Sequence, residues 1–374
     1  MGLDEAYLID CLRELVRIPS PPGREEGAAE YVASKLRSLG LEASVDEFYN
    51  VSSRLGAGAP RVLVNAHLDT VPPGAGWTVD PYGGEVRDGR LYGRGASDNK
   101  AGAAAMLAIA KALRGAGLRG TLILLFTSRE EGRGKLRARG RLKEWLSFDM
   151  GLCLDHYIDA GAGRCPIVVG CRGIANVEVE VAGRAWHSSE PERGVNAIYR
   201  ALELVDALRR GDVLKSAQDP LPVKEDLSVT IIKGGEWPTV VPDRCSMNVN
   251  FRLLPRLPPA SAARRVAGVA RRVLKEGFRV RLRAGLRGYL VDPSSPVVRA
   301  AEEAAEEEGL RPGLEVARGW VDAAYFSNSF NAPVVCVGTM TEGQAHAKDE
   351  YVELEDALAG ARVALRALER LLVR

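Results

Sequence analysis

Histidine is scarce in this chain of 374 residues, which carries only His67, His156, His187 and His346. Glutamine is rarer still, with Gln218 and Gln344 alone; loss of thermolabile amides marks hyperthermophile proteins, and a biased base composition produces the same depletion. The six cysteines (11, 153, 165, 171, 245 and 336) never fall into C-x-x-C spacing, so a thiolate zinc site or a dithiol redox motif is not indicated. They read as reduced structural thiols, with Cys165 and Cys171 the one pair that could bridge in a hyperthermophilic cell. No apolar run approaches the roughly 20 residues of a membrane span. The acidic start, Met1-Gly2-Leu3-Asp4-Glu5, has none of the character of a signal peptide. An excess of either charge is also missing: the formal net charge is +2, which argues against a nucleic-acid surface. A cytoplasmic protein with no membrane and no nucleic-acid partner is expected.

What is present is the composition of a globular protein, 46% hydrophobic and 27% charged, at a length that calls for two domains. Two amphipathic helices open the chain, one over 4–17 and one over 25–39, separated by Pro19-Ser20-Pro21-Pro22-Gly23. Strand-like runs follow near 41–48, 61–66 and 120–126, with a small-residue helix near 100–114. This alternation predicts an α/β fold with a doubly wound, mainly parallel sheet. Near Gly170 the pattern changes. Asn176 to Val181 alternates strictly, as a half-exposed antiparallel strand does. Helices near 195–210 and 260–276 and strands near 226–233, 244–252 and 278–284 complete an α+β unit. The α/β pattern then resumes with a helix near 295–308, a buried strand at Pro333–Gly338 and a helix over 354–372. The expected division is therefore 1–170 with 285–374 as one domain, and 171–284 inserted into it.

His67 stands at the end of the apolar run Arg61–Asn65, in Ala66-His67-Leu68-Asp69-Thr70. Asp98 sits in Gly95-Ala96-Ser97-Asp98-Asn99-Lys100, and Glu130-Glu131 follow the run Thr121–Phe126. Open α/β sheets bind ligands at the carboxyl ends of their strands. Imidazole nitrogen with carboxylate oxygen, and no thiolate, suits Zn²⁺, Co²⁺ or Mn²⁺. Taken singly, His67 could be a satisfied core histidine and Glu130-Glu131 a solvated loop. Taken together they indicate a metal site.

Several ordered motifs carry a family resemblance. His67-Leu68-Asp69-Thr70-Val71-Pro72, Trp77-Thr78-Val79-Asp80-Pro81, Asp88-Gly89-Arg90-Leu91-Tyr92-Gly93-Arg94-Gly95-Ala96-Ser97-Asp98, Ser128-Arg129-Glu130-Glu131-Gly132, Trp186-His187-Ser188-Ser189, Asn196-Ala197-Ile198, Asn250-Phe251-Arg252 and Ala345-His346 together resemble the M20 family of dinuclear metallohydrolases. That family contains deacetylases, desuccinylases, aminoacylases and carboxypeptidases. The resemblance implies two divalent metal ions per chain, zinc first and cobalt or manganese as alternatives. It implies His67 on one metal, His346 on the other, Asp98 bridging and Glu131 completing the second site. For the first site's remaining carboxylate, Asp155 after Met150–Leu154 is the choice, with His156 or Asp159 as alternatives because relatives often carry Glu-Pro there. The inserted domain would serve in dimerisation and as a lid, making a homodimer expected.

The implied roles follow known chemistry. A bridging carboxylate holds two cations about 3.5–4 Å apart, close enough to share a water. Glu130, as a carboxylate that is not a ligand, would be the general base. Asp69 would accept the second ring N–H of His67 and so fix its tautomer, unless it caps a local turn. His187 would stabilise the oxyanion, and Arg252 would hold a substrate carboxylate through its planar fork unless it forms a surface ion pair. Gly319, in Gly319-Trp320-Val321-Asp322, sits where relatives have a substrate loop. Two departures stand out: Thr239 replaces a substrate-contacting Asn, and Asn99-Lys100 replaces Met-Lys. The expected activity is metal-dependent hydrolysis of the amide of an N-acyl amino acid. A carboxypeptidase or dipeptidase acting on short peptides is the alternative. A non-catalytic scaffold binding amino acids or a carrier protein would lack a ligand or the base, and none is missing here.

Overall fold

The computed structural model describes residues 1–132, 135–210, 213–218 and 221–373, with backbone alone for 135–138. The chain divides into two compact units. The larger comprises Met1–Val169, Val291–Glu315 and Val321–Arg374; the smaller comprises Gly170–Leu290 and Val316–Trp320.

In the larger unit the sheet is built on Thr121–Thr127, Arg61–His67, Met150–Cys153 and Val334–Val337, neighbours in that order and mutually parallel. Arg61–His67 and Thr121–Thr127 are buried almost throughout, which is why both read as continuous apolar runs rather than alternating ones. Val51–Gly56 adds an antiparallel strand beside Thr121–Thr127. The helix Lys100–Leu113 is apolar on nearly every face. It meets the strand Arg61–His67 and the helices Glu5–Val16 and Leu354–Leu372. Parallel strands all end on the same side, so His67, Glu130-Glu131 and Asp155 leave the sheet together.

The strand expected near 41–48 shrinks to Ser44–Val45. The Asp46 carboxylate accepts the N–H groups of Phe48 and Asn50, both at 2.9 Å, and Tyr49 takes φ +69°. That side-chain turn reverses the chain and starts the strand Val51–Gly56. The helix Asp322–Phe330 and the strand Arg164–Cys171 were likewise not expected from the sequence pattern.

The smaller unit is a four-stranded antiparallel sheet ordered Asp226–Gly234, Arg244–Leu253, Gly173–Ala182, Phe278–Leu286. Val177, Val179, Val181, Val249 and Phe251 point into one core with Leu204 and Val266 of the helices Ala197–Arg209 and Ala260–Leu274. The alternation over 176–181 is thus half-buried strand. All six cysteines are buried thiols, and no disulfide joins Cys165 to Cys171. Among the described residues, no helix is long and apolar enough to cross a membrane.

Gly102, in the first turn of Lys100–Leu113, ties the fold to the site. A Cβ there would stand 2.4 Å from Asn99 Oδ1 and 2.4 Å from the Leu154 carbonyl, atoms of the segments that carry Asp98 and Asp155. In an exposed helix Gly→Ala stabilises by up to about 1 kcal/mol. Here Gly102→Ala is expected to destabilise instead, by about 1–3 kcal/mol as an overpacking change, measured by denaturant unfolding of the metal-free protein.

Candidate metal centre

Strand ends in the larger unit bring the scattered acidic residues together. His67, Asp98 and Asp155 form one cluster whose potential ligand atoms lie within 4.8 Å of one another, and Asp98, Glu131 and His346 form a second. Asp98 belongs to both. Its Oδ1 lies 3.0 Å from His67 Nε2 and its Oδ2 lies 3.5 Å from His346 Nε2. Asp155 Oδ1 is 3.9 Å from His67 Nε2, and Glu131 Oε1 is 2.6 Å from His346 Nε2. Glu130 groups with His67 and Glu131. The alternatives to Asp155 point elsewhere: His156 Nε2 stands 3.9 Å from Glu315, and Asp159 is ion-paired with Arg164.

The second-sphere role expected of Asp69 needs correction. His67 Nδ1 is 2.8 Å from the main-chain carbonyl of Asp69, while the Asp69 carboxylate is 3.7 Å away, beyond hydrogen-bond range. A carbonyl only accepts, so Nδ1 carries the proton and Nε2 faces Asp98. The Asp69 carboxylate is engaged differently: its two oxygens accept the backbone N–H groups of Glu130 and Glu131, each at 2.9 Å. Strand geometry alone does not reveal this, because the partner backbone is some sixty residues away.

Two further buried carboxylates act in the same way, and sequence reasoning missed both. Glu350 accepts the N–H groups of Gly95 at 2.9 Å, Ser97 at 3.0 Å and Asp98 at 2.9 Å, and pairs with buried Arg94. Glu25 accepts from Gly23 at 2.9 Å and Arg129 at 3.0 Å. Arg129 and His346 both hold left-handed backbone, at φ +59° and +62°, a conformation costly for non-glycine residues and frequent at functional sites.

The electrostatics are those of a site short of positive charge. Burial works to lower the His67 imidazole pKa, but the Asp98 hydrogen bond and the charges of Asp155, Asp98 and Asp69 outweigh it and raise it well above its ordinary value. Burial likewise opposes, and Glu131 and Asp98 overcome, a rise at His346. Asp155 is pushed well up by burial and by Asp98, Glu130 and Asp322, and Glu131 by burial and Asp98. Burial would raise Asp98 too, but the hydrogen bond and charge of His67 carry it below its usual value. Nitrogen and oxygen donors thus converge where added positive charge is favoured, and the donor set of imidazole and carboxylate without thiolate fits divalent cations.

His187, Arg252 and Gly319 fold with the smaller unit. His187 pairs with Val240 in a short two-stranded ribbon and is exposed. The Ser189 N–H donates to its Nδ1 at 3.2 Å, leaving Nε2 as the donor. Arg252 lies in Arg244–Leu253 opposite Ile174 and Asp226. Arg172, unremarked in the sequence, neighbours it: burial and the charges of Arg252 and Arg318 hold the Arg172 guanidinium below its ordinary pKa, against Asp226. Gly319 is exposed beside Arg318, whose carbonyl accepts from Arg172.

Cations loading the two clusters compete with protons at groups whose pKa the metal-free site raises, so binding is expected to release protons. Calorimetric heats of Zn²⁺ binding are therefore expected to vary with the ionisation enthalpy of the buffer. Affinity is expected to fall as pH drops from about 8 to about 6. Heats independent of buffer would contradict this assignment.

The chain matches the model of peptidase family M20/M25/M40 over residues 63–370. It is 32% identical to a succinyl-diaminopimelate desuccinylase of Wolinella succinogenes, over 96% of this chain and 99% of that protein. Among solved structures it is similar to the aminopeptidase PepT of Bacillus cereus, with TM-score 0.81, 23% identity and 99% of each chain covered. It is also similar to a dinuclear metal-binding M20 peptidase of Bacillus subtilis, with TM-score 0.73, 18% identity and 97% of each chain covered. With the two histidine–carboxylate clusters meeting at Asp98, these likenesses place the chain in peptidase family M20/M25/M40, as a metal-dependent amidohydrolase.

Proposed function

We propose that this protein hydrolyses the amide bond of an N-acyl amino acid, with a carboxylate-bearing acyl group such as succinyl as the favoured class. The observation that carries the reading is Asp98, which turns one oxygen to His67 and the other to His346 while Glu130 stands in the same cluster. His67, Asp98 and Asp155 would hold one divalent cation, and Asp98, Glu131 and His346 the other. When bound, the cations, zinc in first place, acidify a water and polarise the scissile carbonyl. Glu130 takes a proton from the attacking water and returns it to the leaving amine. The Asp69 carboxylate aims Glu130 and Glu131 by fixing their backbone. His187 donates from Nε2 to the developing oxyanion. Arg252 holds a substrate carboxylate bidentately, and Arg172 beside it suits a second one, which an N-succinyl amino acid possesses. The desuccinylase relatives support this choice.

We further propose a cytoplasmic homodimer formed through the smaller unit. Asp226–Gly234 is an edge strand with Ile231 and Ile232 52% and 46% exposed, and the helix Ala197–Arg209 exposes Tyr199 and Leu202. An unpaired edge with apolar side chains invites pairing with a second copy.

Three outcomes test these readings. Glu130→Gln is expected to lower kcat by about 10²–10⁴-fold on N-succinyl amino acids while still binding two cations; full activity would sink the mechanism. Arg252→Lys should raise KM more than it lowers kcat, having lost the fork; faster turnover of dipeptides than of N-acyl substrates would favour peptidase action. Ile231→Lys should shift the sedimentation coefficient to that of a monomer, and an unchanged dimer would rule out this edge.

A further inference from the structure

Arg139 and Asp322 form a buried ion pair that none of the steps above uses. Arg139 follows the Glu130-Glu131 turn in the helix Lys135–Leu142, and its side chain is fully buried, as is that of Asp322. Its Nε and Nη2 donate to Asp322 Oδ2 at 3.1 and 2.5 Å. Its Nη1 donates to the Ser128 carbonyl at 2.6 Å and reaches Asn50 Oδ1 at 3.5 Å. Asn50 Oδ1 in turn accepts the Ser128 N–H at 3.0 Å. Asp322 Oδ2 also accepts from the Thr127 hydroxyl at 3.2 Å, which receives an Asn65 N–H at 3.1 Å. Thr127 and Ser128, the two residues just before Arg129-Glu130-Glu131, are thus held by backbone and side chain to the same guanidinium–carboxylate pair.

A buried ion pair is by itself weak ground for stability. Desolvating a guanidinium and a carboxylate costs about what their attraction returns, and an apolar replacement of similar volume is often neutral or stabilising. A fork that meets a carboxylate and a carbonyl in fixed directions contributes orientation instead. The pair also lies within electrostatic reach of the site, since Asp69 and Glu130 both act on Arg139 and Asp322 acts on Asp155.

We propose that Arg139, paired with Asp322, is a positioning residue for the turn that carries Glu130 and Glu131: it clamps the strand exit from behind while the Asp69 carboxylate holds the turn from in front. The inference rests on the proposed roles of Glu130 and Glu131. The clamp holds the turn of the proposed base and a proposed metal ligand and touches none of the residues assigned to substrate binding, so its loss should appear in kcat rather than KM, and in the coordination around Glu131.

The test compares Arg139→Lys, which keeps the charge and loses the fork, with the double variant Arg139→Met/Asp322→Leu, which replaces the pair by apolar bulk. The double variant is expected to fold and to bind two Co²⁺ per chain. Its visible Co²⁺ absorption should be altered, with kcat on N-succinyl amino acids down at least tenfold and KM within twofold. Arg139→Lys is expected to show the same split in milder form, and it supplies the answer alone if the double variant does not fold. A folded variant with parental kcat and Co²⁺ spectrum overturns the proposal, as does a loss of activity that only tracks the folded fraction. Glu130→Gln, measured alongside, separates the two readings: if it stays active the general-base assignment fails, while the Co²⁺ spectra still decide the clamp.

Discussion

Buried carboxylates that collect backbone N–H groups are the constraint on which the site depends. Asp69 holds Glu130 and Glu131, Glu350 holds Gly95, Ser97 and Asp98, and Glu25 holds Gly23 and Arg129. Each is a carboxyl group removed from water, and the backbone N–H groups it accepts stand in for hydration; burial pushes the Glu25 and Glu350 carboxyls up. Irregular loops at strand ends have no ladder to satisfy their backbone. A carboxylate with two oxygens and about four acceptor directions does so at one point. These bonds tie the loops to one another and restrict the directions in which the side chains they carry can point.

That rigidity answers a problem of charge. Asp98, Asp155, Glu130 and Glu131 crowd into one partly buried region with two imidazoles, where like charges raise one another's pKa. A flexible site would relieve the repulsion by moving apart. Here the carboxylates are anchored through their own backbone, so the repulsion is relieved by binding protons or cations instead. The same anchoring leaves Asp98 with one oxygen for each histidine, the arrangement a pair of cations requires.

Much of this was legible in the chain. Arg61–His67 and Thr121–Thr127 declared themselves as buried parallel strands by their unbroken apolar runs, and parallel strands deliver their ends to one side. The alternation Asn176–Val181 marked the one-sided sheet. Histidine is rare and His67 and Glu130-Glu131 follow such runs, while Asp98 and His346 stand in loops and were implied by the family resemblance of their motifs. Less accessible were the residues that do not ligate. Nothing in Lys348-Asp349-Glu350 or Arg137-Ala138-Arg139 distinguishes a buried anchor from a solvated charge, since the partners lie hundreds of residues away or on a neighbouring strand exit. The short strand Ser44–Val45 escaped because a side-chain turn at Asp46 overrode β-propensity.

The sequence by itself determined the α/β class and the two kinds of sheet, because periodicity and local composition are properties of neighbours along the chain, while the ligand candidates were implied by the resemblance of its motifs to the M20 family. Only the tertiary structure decided which donor meets which. It gave the Asp69 carbonyl to His67 and the Asp69 carboxylate to Glu130 and Glu131, and it joined Asp155 rather than His156 or Asp159 to His67. It also turned the Arg172 guanidinium to the carbonyls of Lys224 and Arg318 and buried Arg139 against Asp322. These are long-range pairings fixed by how packed elements align their ends, and a hydrogen bond or ion pair depends on distance and direction that no spacing along the chain encodes.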